Sequence, residues 1–553
     1  MVDTLKIALA QINPRVGDIT ENTELVREAR REAAGLGADL VVFGELVLCG
    51  YPPEDLVLKE AFQDAVADAV AALAAETADG GPGILVTAPW RDQGLLYNAV
   101  VLLDGGEIVA ARYKHDLPNY GVFDEKRVFA AGPLPGPINF RGIRLGVPIC
   151  EDIWTPEVCE CLVETGAELL LVPNGSPFED GKFDVRLNHA VGRVTETGLP
   201  LVYVNQVGGQ DELVFDGGSF VVNGDCSLAV QMPTFDSGLV LTEWRQEGDD
   251  WVCAQGPRTA PHEGLDALYR TMTLGLRDYV NKNRFPGVVL GLSGGIDSAL
   301  SAAVAVDALG PERVWCIMLP SKYSSPHSLA DAIACAELLQ CRVDKVTIEP
   351  AVAAYESMLG ALFEGREADI TEENIQSRAR GMALMAISNK FGHMVLTTGN
   401  KSEMSVGYAT IYGDMCGGFS VLKDVYKITA FELSHWRNQQ KPAGALGPDG
   451  RVIPENTITK PPSAELRPDQ MDEDSLPPYE VLDDILRCLV EEEMAVAEIV
   501  DRGHTVETVR RIENLLYLAE YKRRQAPPGV KLTARNFGRD RRYPITNGFR
   551  NAQ

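Results

Sequence analysis

Residues 291–298 read GLSGGIDS, and this octet constrains the fold more tightly than any other stretch. It follows the apolar run VVL and leads into the alanine-rich SALSAAVAV, so a strand, a glycine turn and a helix stand in direct succession. The glycines let backbone N–H groups approach an anion closely. The helix N-terminus adds donors and partial positive charge, and Ser293 and Ser298 add hydroxyls. A Walker A loop needs a Lys after its last glycine to reach the β- and γ-phosphates; here that place is taken by Ile296. The loop is therefore suited to hold departing pyrophosphate while the α-phosphate of ATP is attacked. Gly291, Leu292, Ser293, Gly294, Gly295, Ile296, Asp297 and Ser298 are the expected ATP-binding positions, with Asp297 a candidate Mg²⁺ ligand.

Strand-like and helix-like segments alternate on both sides of this loop. Upstream, residues 5–10, 38–43, 83–88, 99–103, 143–149, 169–172 and 201–204 read as buried strands, and 24–36 and 61–77 as helices. The stretch LVFDGGSFVVNGDCSLAVQM reads as hairpins turning at Gly217-Gly218 and Asn223-Gly224. Periodicity stops in AQGPRTAPHEG and restarts as a helix over 265–281. The strands 287–292, 314–319, 343–348 and 394–397 that follow, each with a helix or loop after it, describe a doubly wound parallel sheet. The expected division is 1–255, a linker over 256–264, and 265–553. Residues 438–454 read as a mobile Gly/Pro-rich loop, and 479–521 as a helical cap.

The chain has 553 residues and a formal charge of −28, which argues against nucleic-acid or anionic-membrane partners. No run approaches the ~20 apolar residues a membrane helix needs. The opening MVDTLKIALAQINPRVGD lacks a secretory layout, so the 11 scattered cysteines read as reduced thiols in a cytoplasmic enzyme. The close pairs Cys159/Cys161 and Cys335/Cys341 lack zinc-site spacing and a His partner.

The octet resembles the pyrophosphatase loop of the N-type ATP pyrophosphatases, which adenylate a substrate oxygen and let a nucleophile displace AMP. Four further motifs, LTTGNKSE at 396–403, GYATIYGDMCGG at 407–418, DITEENIQSRAR at 369–380 and ITKPPSAEL at 458–466, are similar to those of the NAD synthetases across nearly all of 265–553. That resemblance implies a Rossmann-like fold, with Thr398 beside ATP. It implies Asn374, Glu403 and Lys522 on deamido-NAD, and Glu403 joining Asp297 on Mg²⁺. Two polyanionic substrates call for local cations. Lys401, Lys460, Lys522 and the basic C-terminal run (Arg523, Arg524, Lys531, Arg535, Arg539, Arg541, Arg542) are the candidates.

In the first half, Glu45 follows a buried strand, Lys114 follows EIVAARY, and Cys150 ends a strand in GVPICEDIW. This Glu–Lys–Cys order resembles the nitrilase superfamily over residues 1 to about 250, which implies an α-β-β-α sandwich. In that chemistry Cys150 attacks the amide of L-glutamine, Glu45 moves the proton and Lys114 stabilises the oxyanion. LPNYGVFDEKRVF and NGSPFEDGK resemble the glutaminase half of NAD synthetases, which implies that Tyr120, Ser176 and Lys182 bind glutamine. His115 beside Lys114 is assigned no catalytic role, and Cys49 is assigned to packing. Together the halves imply ATP-dependent amidation of deamido-NAD with ammonia passed between domains. The family resemblance favours a homodimer or a higher homo-oligomer built on it.

Overall fold

The computed structural model describes residues 3–468 and 470–549 and divides into two units, Met1–Glu263 and Gly264–Gln553. In the first unit, the strand Thr4–Gln11 lies parallel to Leu40–Phe43, which lies parallel to Gly83–Asp92. Leu95–Asp104 and Glu107–Tyr113 extend this sheet on one side, and Gly238–Glu247 and Asp250–Cys253 on the other. A second sheet of six strands has Leu169–Asn174 between the parallel strands Ile143–Gly146 and Leu201–Asn205.

Successive side chains of a strand point to opposite faces, and here both faces are buried. Leu5, Ile7, Leu9, Leu40 and Val42 meet Leu169, Leu171, Val202 and Val204 between the sheets. Ala8, Ala10, Val41 and Phe43 pack with Val26, Ala29, Val66 and Val70 of the helices Ile19–Gly35 and Glu60–Glu76. On the far side, Leu170, Val172 and Tyr203 pack with helices Glu157–Glu164 and Lys182–Thr197. The result is the α-β-β-α sandwich.

Three local readings change. The first helix starts five residues before the expected 24, because the Asp18 side chain accepts from the Glu21 backbone N–H and caps it. The hairpin expected at Gly217-Gly218 does not form: Leu213–Asp216 pairs back with Val207–Gln210 in one hairpin, and Phe220–Val222 with Leu228–Gln231 in a second. Within the expected linker, Gly256 and Thr259 donate to the carbonyls of Ala229 and Gln231, and Gln231 donates to that of Pro257, so the segment runs along the first unit.

The second unit holds a five-stranded parallel sheet in the order Arg342–Lys345, Val314–Met318, Val288–Gly291, Met394–Thr397, Phe419–Ser420. The order reverses between Val288–Gly291 and Met394–Thr397, and ligands of such sheets bind where that happens, at the strands' carboxyl ends. Helices Tyr479–Val490, Val496–Asp501 and Val506–Leu518 form the cap around Leu482, Ile485, Ile499, Val509 and Ile512. The segment expected to be mobile is pinned: Arg437 donates to the carbonyls of Pro448 and Gly450, and Asn438 bonds Val452 and Ile453.

Candidate active sites

The carboxyl ends of the parallel strands in the first unit bring Glu45, Lys114 and Cys150 together. Glu45 follows Leu40–Phe43 across Gly44, where a Cβ would meet the Asn174 carbonyl at 2.9 Å. Thr87 fixes this turn, accepting from the Val47 N–H and donating to the Gly44 carbonyl. Lys114, just past Glu107–Tyr113, is fully buried, and its ammonium lies 2.6 Å from Glu45 Oε1 and 2.8 Å from Glu125 Oε1. Asn98 Nδ2 donates to Glu45 Oε1 at 2.7 Å, the Gly175 N–H donates to Glu45 Oε2 at 3.0 Å, and the Tyr51 hydroxyl donates to Glu125 at 2.8 Å.

Cys150 opens a short 3-10 turn, Cys150–Ile153, with φ at +46°, a conformation that non-glycine residues rarely adopt. Burial and the Glu45 carboxylate push its thiol well up, and Lys114 and the Gly175 N–H pull the other way. Burial opposes the charge on Lys114, but Glu125 and Glu45 outweigh it and hold the ammonium well above its usual range. Burial also pushes the Glu125 carboxyl up, against the pull of Lys114. The site thus keeps a thiol beside a carboxylate that can receive its proton, with a fixed cation next to both.

Around this cluster, Tyr120 is half exposed and its hydroxyl donates to Glu151 at 2.9 Å. Lys182 begins the helix Lys182–Thr197 and lies over the Phe123 ring, close enough to Glu151 to stabilise its charge. Ser176 is buried, with its Oγ accepting from Arg186, which in turn grips Asp216. His115 Nδ1 lies 2.7 Å from the Gly132 carbonyl; a carbonyl only accepts, so that nitrogen carries the proton. Glu125 and Asn98 were not identified from sequence. Glu125 stands in the charge run DEKR, which looks solvated, and Asn98 interrupts an apolar strand without any motif.

In the second unit, Gly291 ends a strand and Gly295 precedes the helix Ile296–Leu309. Gly294 has φ +85°, and a Cβ there would fall 2.2 Å from the Ser328 carbonyl, so only glycine fits. The Ser293 and Ser298 hydroxyls lie 3.0 Å apart, and Ser293 Oγ accepts from the Gly295 N–H. Asp297 accepts from Asn400 at 3.0 Å and from Lys427 at 2.5 Å, and Lys427 also reaches Glu403 at 3.1 Å. Burial and Asp297 push the Glu403 carboxyl up to about 8 despite Lys427. Asp472 is nearby, bonded through Oδ2 to Tyr479.

Two oxygen-bearing side chains held around a cation suit Mg²⁺, which takes few protein ligands beside phosphate and water. Among the described residues no cluster of three or more His, Cys, Asp or Glu is arranged for a metal ion. Thr398 follows Met394–Thr397 and is half-buried. A cleft lies beside it, lined by Gly399, Glu403, Ala409, Asp414 and Ser420. Asn374, on the helix Ile370–Phe391, accepts from Thr410 at 2.8 Å. Lys522 donates to the carbonyls of Gly407 and Ala409, and burial lowers its pKa against the pull of Asp414.

Most of the other expected cations are structural. Lys401 is fully buried against Asp424 and Glu491, so its charge is already paired within the fold. Arg523 and Arg541 are spent on Glu520, Lys531 on Asp540 and Arg535 on Glu493. Lys460 remains near the loop, 3.0 Å from Asp331 and 3.1 Å from Ser328. Lys427, within VYKITAF, was missed because no glycine or charge pattern marks it.

A nitrilase-type sandwich and a pyrophosphatase-type sheet in one chain define a glutamine-using, ATP-dependent amide ligase. Residues 6–248 match the carbon-nitrogen hydrolase family model and 268–526 the NAD synthase model. The chain is 51% identical over 551 residues to the glutamine-dependent NAD(+) synthetase of Rhodobacter capsulatus, covering 100% of both. It is 41% identical over 578 residues to that of Thermotoga maritima, covering 99% of both. The solved glutamine-dependent NAD+ synthetase of Acinetobacter baumannii, in complex with ADP, superposes with a TM-score of 0.78 at 41% identity, covering 99% of each chain. The chain belongs to the glutamine-dependent NAD(+) synthetase family, ligases that use ATP to amidate deamido-NAD with nitrogen from glutamine.

Proposed function

We propose that Cys150, Glu45 and Lys114 perform the glutaminase half of this reaction. The buried 2.6 Å Glu45–Lys114 pair facing the Cys150 thiol carries the reading. Cys150 Sγ attacks the side-chain carbonyl of L-glutamine as its proton passes to Glu45. Lys114 stabilises the oxyanion. The C–N bond breaks, Glu45 returns the proton to the leaving ammonia, and water then hydrolyses the thioester to glutamate. Tyr120, Ser176 and Lys182 bind the amino acid.

In the synthetase half, Gly291, Leu292, Ser293, Gly294, Gly295, Ile296, Asp297, Ser298 and Thr398 hold ATP. Asn374, Glu403 and Lys522 hold deamido-NAD. A nicotinate oxygen attacks the α-phosphorus, pyrophosphate departs along the loop, and ammonia displaces AMP from the acyl carbon. Asp297 and Glu403 are the side chains that would hold Mg²⁺, which when bound neutralises phosphate charge. We assign the first activity to 1–255 and the second to 265–553. The exposed Met358, Leu362, Ile370 and Met382 of neighbouring segments support a homodimer or larger homo-oligomer through the second unit. The 11 free cysteines suit a cytoplasmic location.

Cys150→Ala tests the division of labour. It should abolish NAD formation from glutamine and leave formation from ammonium within about twofold of wild type. A folded variant dead with both nitrogen sources would refute the two-site reading.

A further inference from the structure

Lys114 and Cys150 sit at the ends of strands in different sheets, and both must face one carbonyl carbon. One buried side chain ties their backbones together. Asp152, 1% exposed, accepts through Oδ1 from the N–H groups of His115 at 3.0 Å and Asp116 at 2.7 Å. Through Oδ2 it accepts from the Ile149 N–H at 2.9 Å, and its own N–H donates to the Ile149 carbonyl at 3.0 Å. The first two donors directly follow Lys114, and the third directly precedes Cys150.

We propose that Asp152 is a positioning residue for glutamine hydrolysis, holding the Lys114 segment and the Cys150 turn in one register. The proposal rests on the reading of Cys150, Glu45 and Lys114 as the glutaminase site. Two features support a functional purpose beyond packing. The Cys150 backbone is held at φ +46°, a conformation that lasts only when its surroundings over-determine it, and the reciprocal Ile149–Asp152 bonds close the turn around it. An error of about 1 Å between nucleophile and oxyanion donor costs on the order of 10²-fold in rate, so a bond across the two sheets acts directly on catalysis.

The strap is also sensitive to pH. Burial pushes the Asp152 carboxyl up to about 7, Asp116 adds to the rise, and the N–H groups of Asp116 and Ile149 together with Lys114 oppose it. On the helix Glu157–Glu164, Cys159 faces Asp152, with its thiol pushed up to about 12 by burial, and therefore stays neutral. The ionised carboxylate serves three donors, whereas the protonated form gives up part of its accepting capacity. Glutaminase turnover should therefore rise as pH increases through about 7.

The full-length chain carrying Asp152→Asn tests this, since the amide offers one oxygen to donors on both sides. The expected result is a fall in kcat for glutamine hydrolysis on the order of 10²-fold. KM for glutamine should stay within about twofold, ammonium-driven NAD formation should be unchanged, and the rise in kcat through about pH 7 should be lost. A wild-type kcat and pH profile, or a defect confined to KM, would overturn the role. If circular dichroism shows the first unit unfolded in Asp152→Asn, Asp152→Ser, which keeps an oxygen acceptor, is judged by the same kcat and pH readouts. Glutamine hydrolysis surviving in Cys150→Ala would bring down the site reading itself. A dead Cys150→Ala beside a fully normal Asp152→Asn would bring down only the role of Asp152.

Discussion

Among the described residues, Lys114, Lys401 and Lys427 are each buried between two carboxylates, and they differ in what surrounds the pair. In the first unit, Lys114 bridges Glu45 and Glu125, and a thiol faces the group. In the second, Lys401 bridges Asp424 and Glu491 and also donates to Thr533 and the Arg535 carbonyl, so its bonding is complete. Lys427 bridges Asp297 and Glu403, with the Asp472 carboxylate close by. On the proposed reading, the same motif stabilises a reacting centre, a fold, and a site whose remaining charges arrive with its substrates. A covalent catalyst has its electrostatics in place beforehand, whereas a nucleotide site keeps carboxylates paired internally until cations and phosphates replace the partner.

Changing Asp297 separates the two units most sharply. Asp297→Asn removes a proposed Mg²⁺ ligand and weakens the hold on Lys427. We expect NAD formation from glutamine and from ammonium to fall together, on the order of 10³-fold, while basal glutamine hydrolysis survives. Measuring glutamate and NAD release in one assay checks this; equal loss of both products would erase the distinction between the sites.

Changing Lys401 tests whether its pairing is structural. Removing one member of a buried pair leaves the other charge uncompensated, at a cost of about 3–5 kcal/mol. Lys401→Met should lower the unfolding temperature of the second unit and reduce activity only through the folded fraction, with KM for ATP and deamido-NAD unchanged. A stable variant with a raised KM for either would return Lys401 to the binding site.

The fold was legible wherever local pattern decided it. The octet at 291–298 specified strand, turn and helix, and the buried runs of the first unit specified its strands. What escaped depended on distant partners. Gly238–Glu247 reads GLVLTEWRQE, with charges on one face, and is a strand because it pairs antiparallel with Thr4–Gln11, more than 200 positions earlier. Glu45, Lys114 and Cys150 were readable because each follows a recognisable strand. Glu125, Asn98 and Asp152 were not, since their importance lies in atoms brought close by folding: a second carboxylate on Lys114, an amide between two glutamates, and a strap on backbone N–H groups. Lys401 was named among the candidate cations and Lys427 was not, for a related reason. Lys401 stands in the LTTGNKSE motif and Lys427 in none, and only the folded chain shows that the first is enclosed by Asp424 and Glu491 while the second bridges Asp297 and Glu403.

The smallest effect is expected at His115, where it tests whether the first unit's electrostatics belong to Lys114 and the two glutamates. Its ring donates through Nδ1 to the Gly132 carbonyl, and its backbone N–H is held by Asp152. Alanine keeps the backbone bond and loses the ring bond, which costs about 1 kcal/mol of stability. A histidine moving protons in the transition state is worth about 10²–10⁴-fold. We expect His115→Ala to reduce glutamine hydrolysis by less than about tenfold, well short of that range, with the same pH profile as wild type. A loss of 10²-fold or more in a folded variant, together with a changed pH profile, would transfer the base from Glu45 to His115. The buried lysine would then be a structural partner in both units, and the contrast between Lys114 and Lys401 would fail.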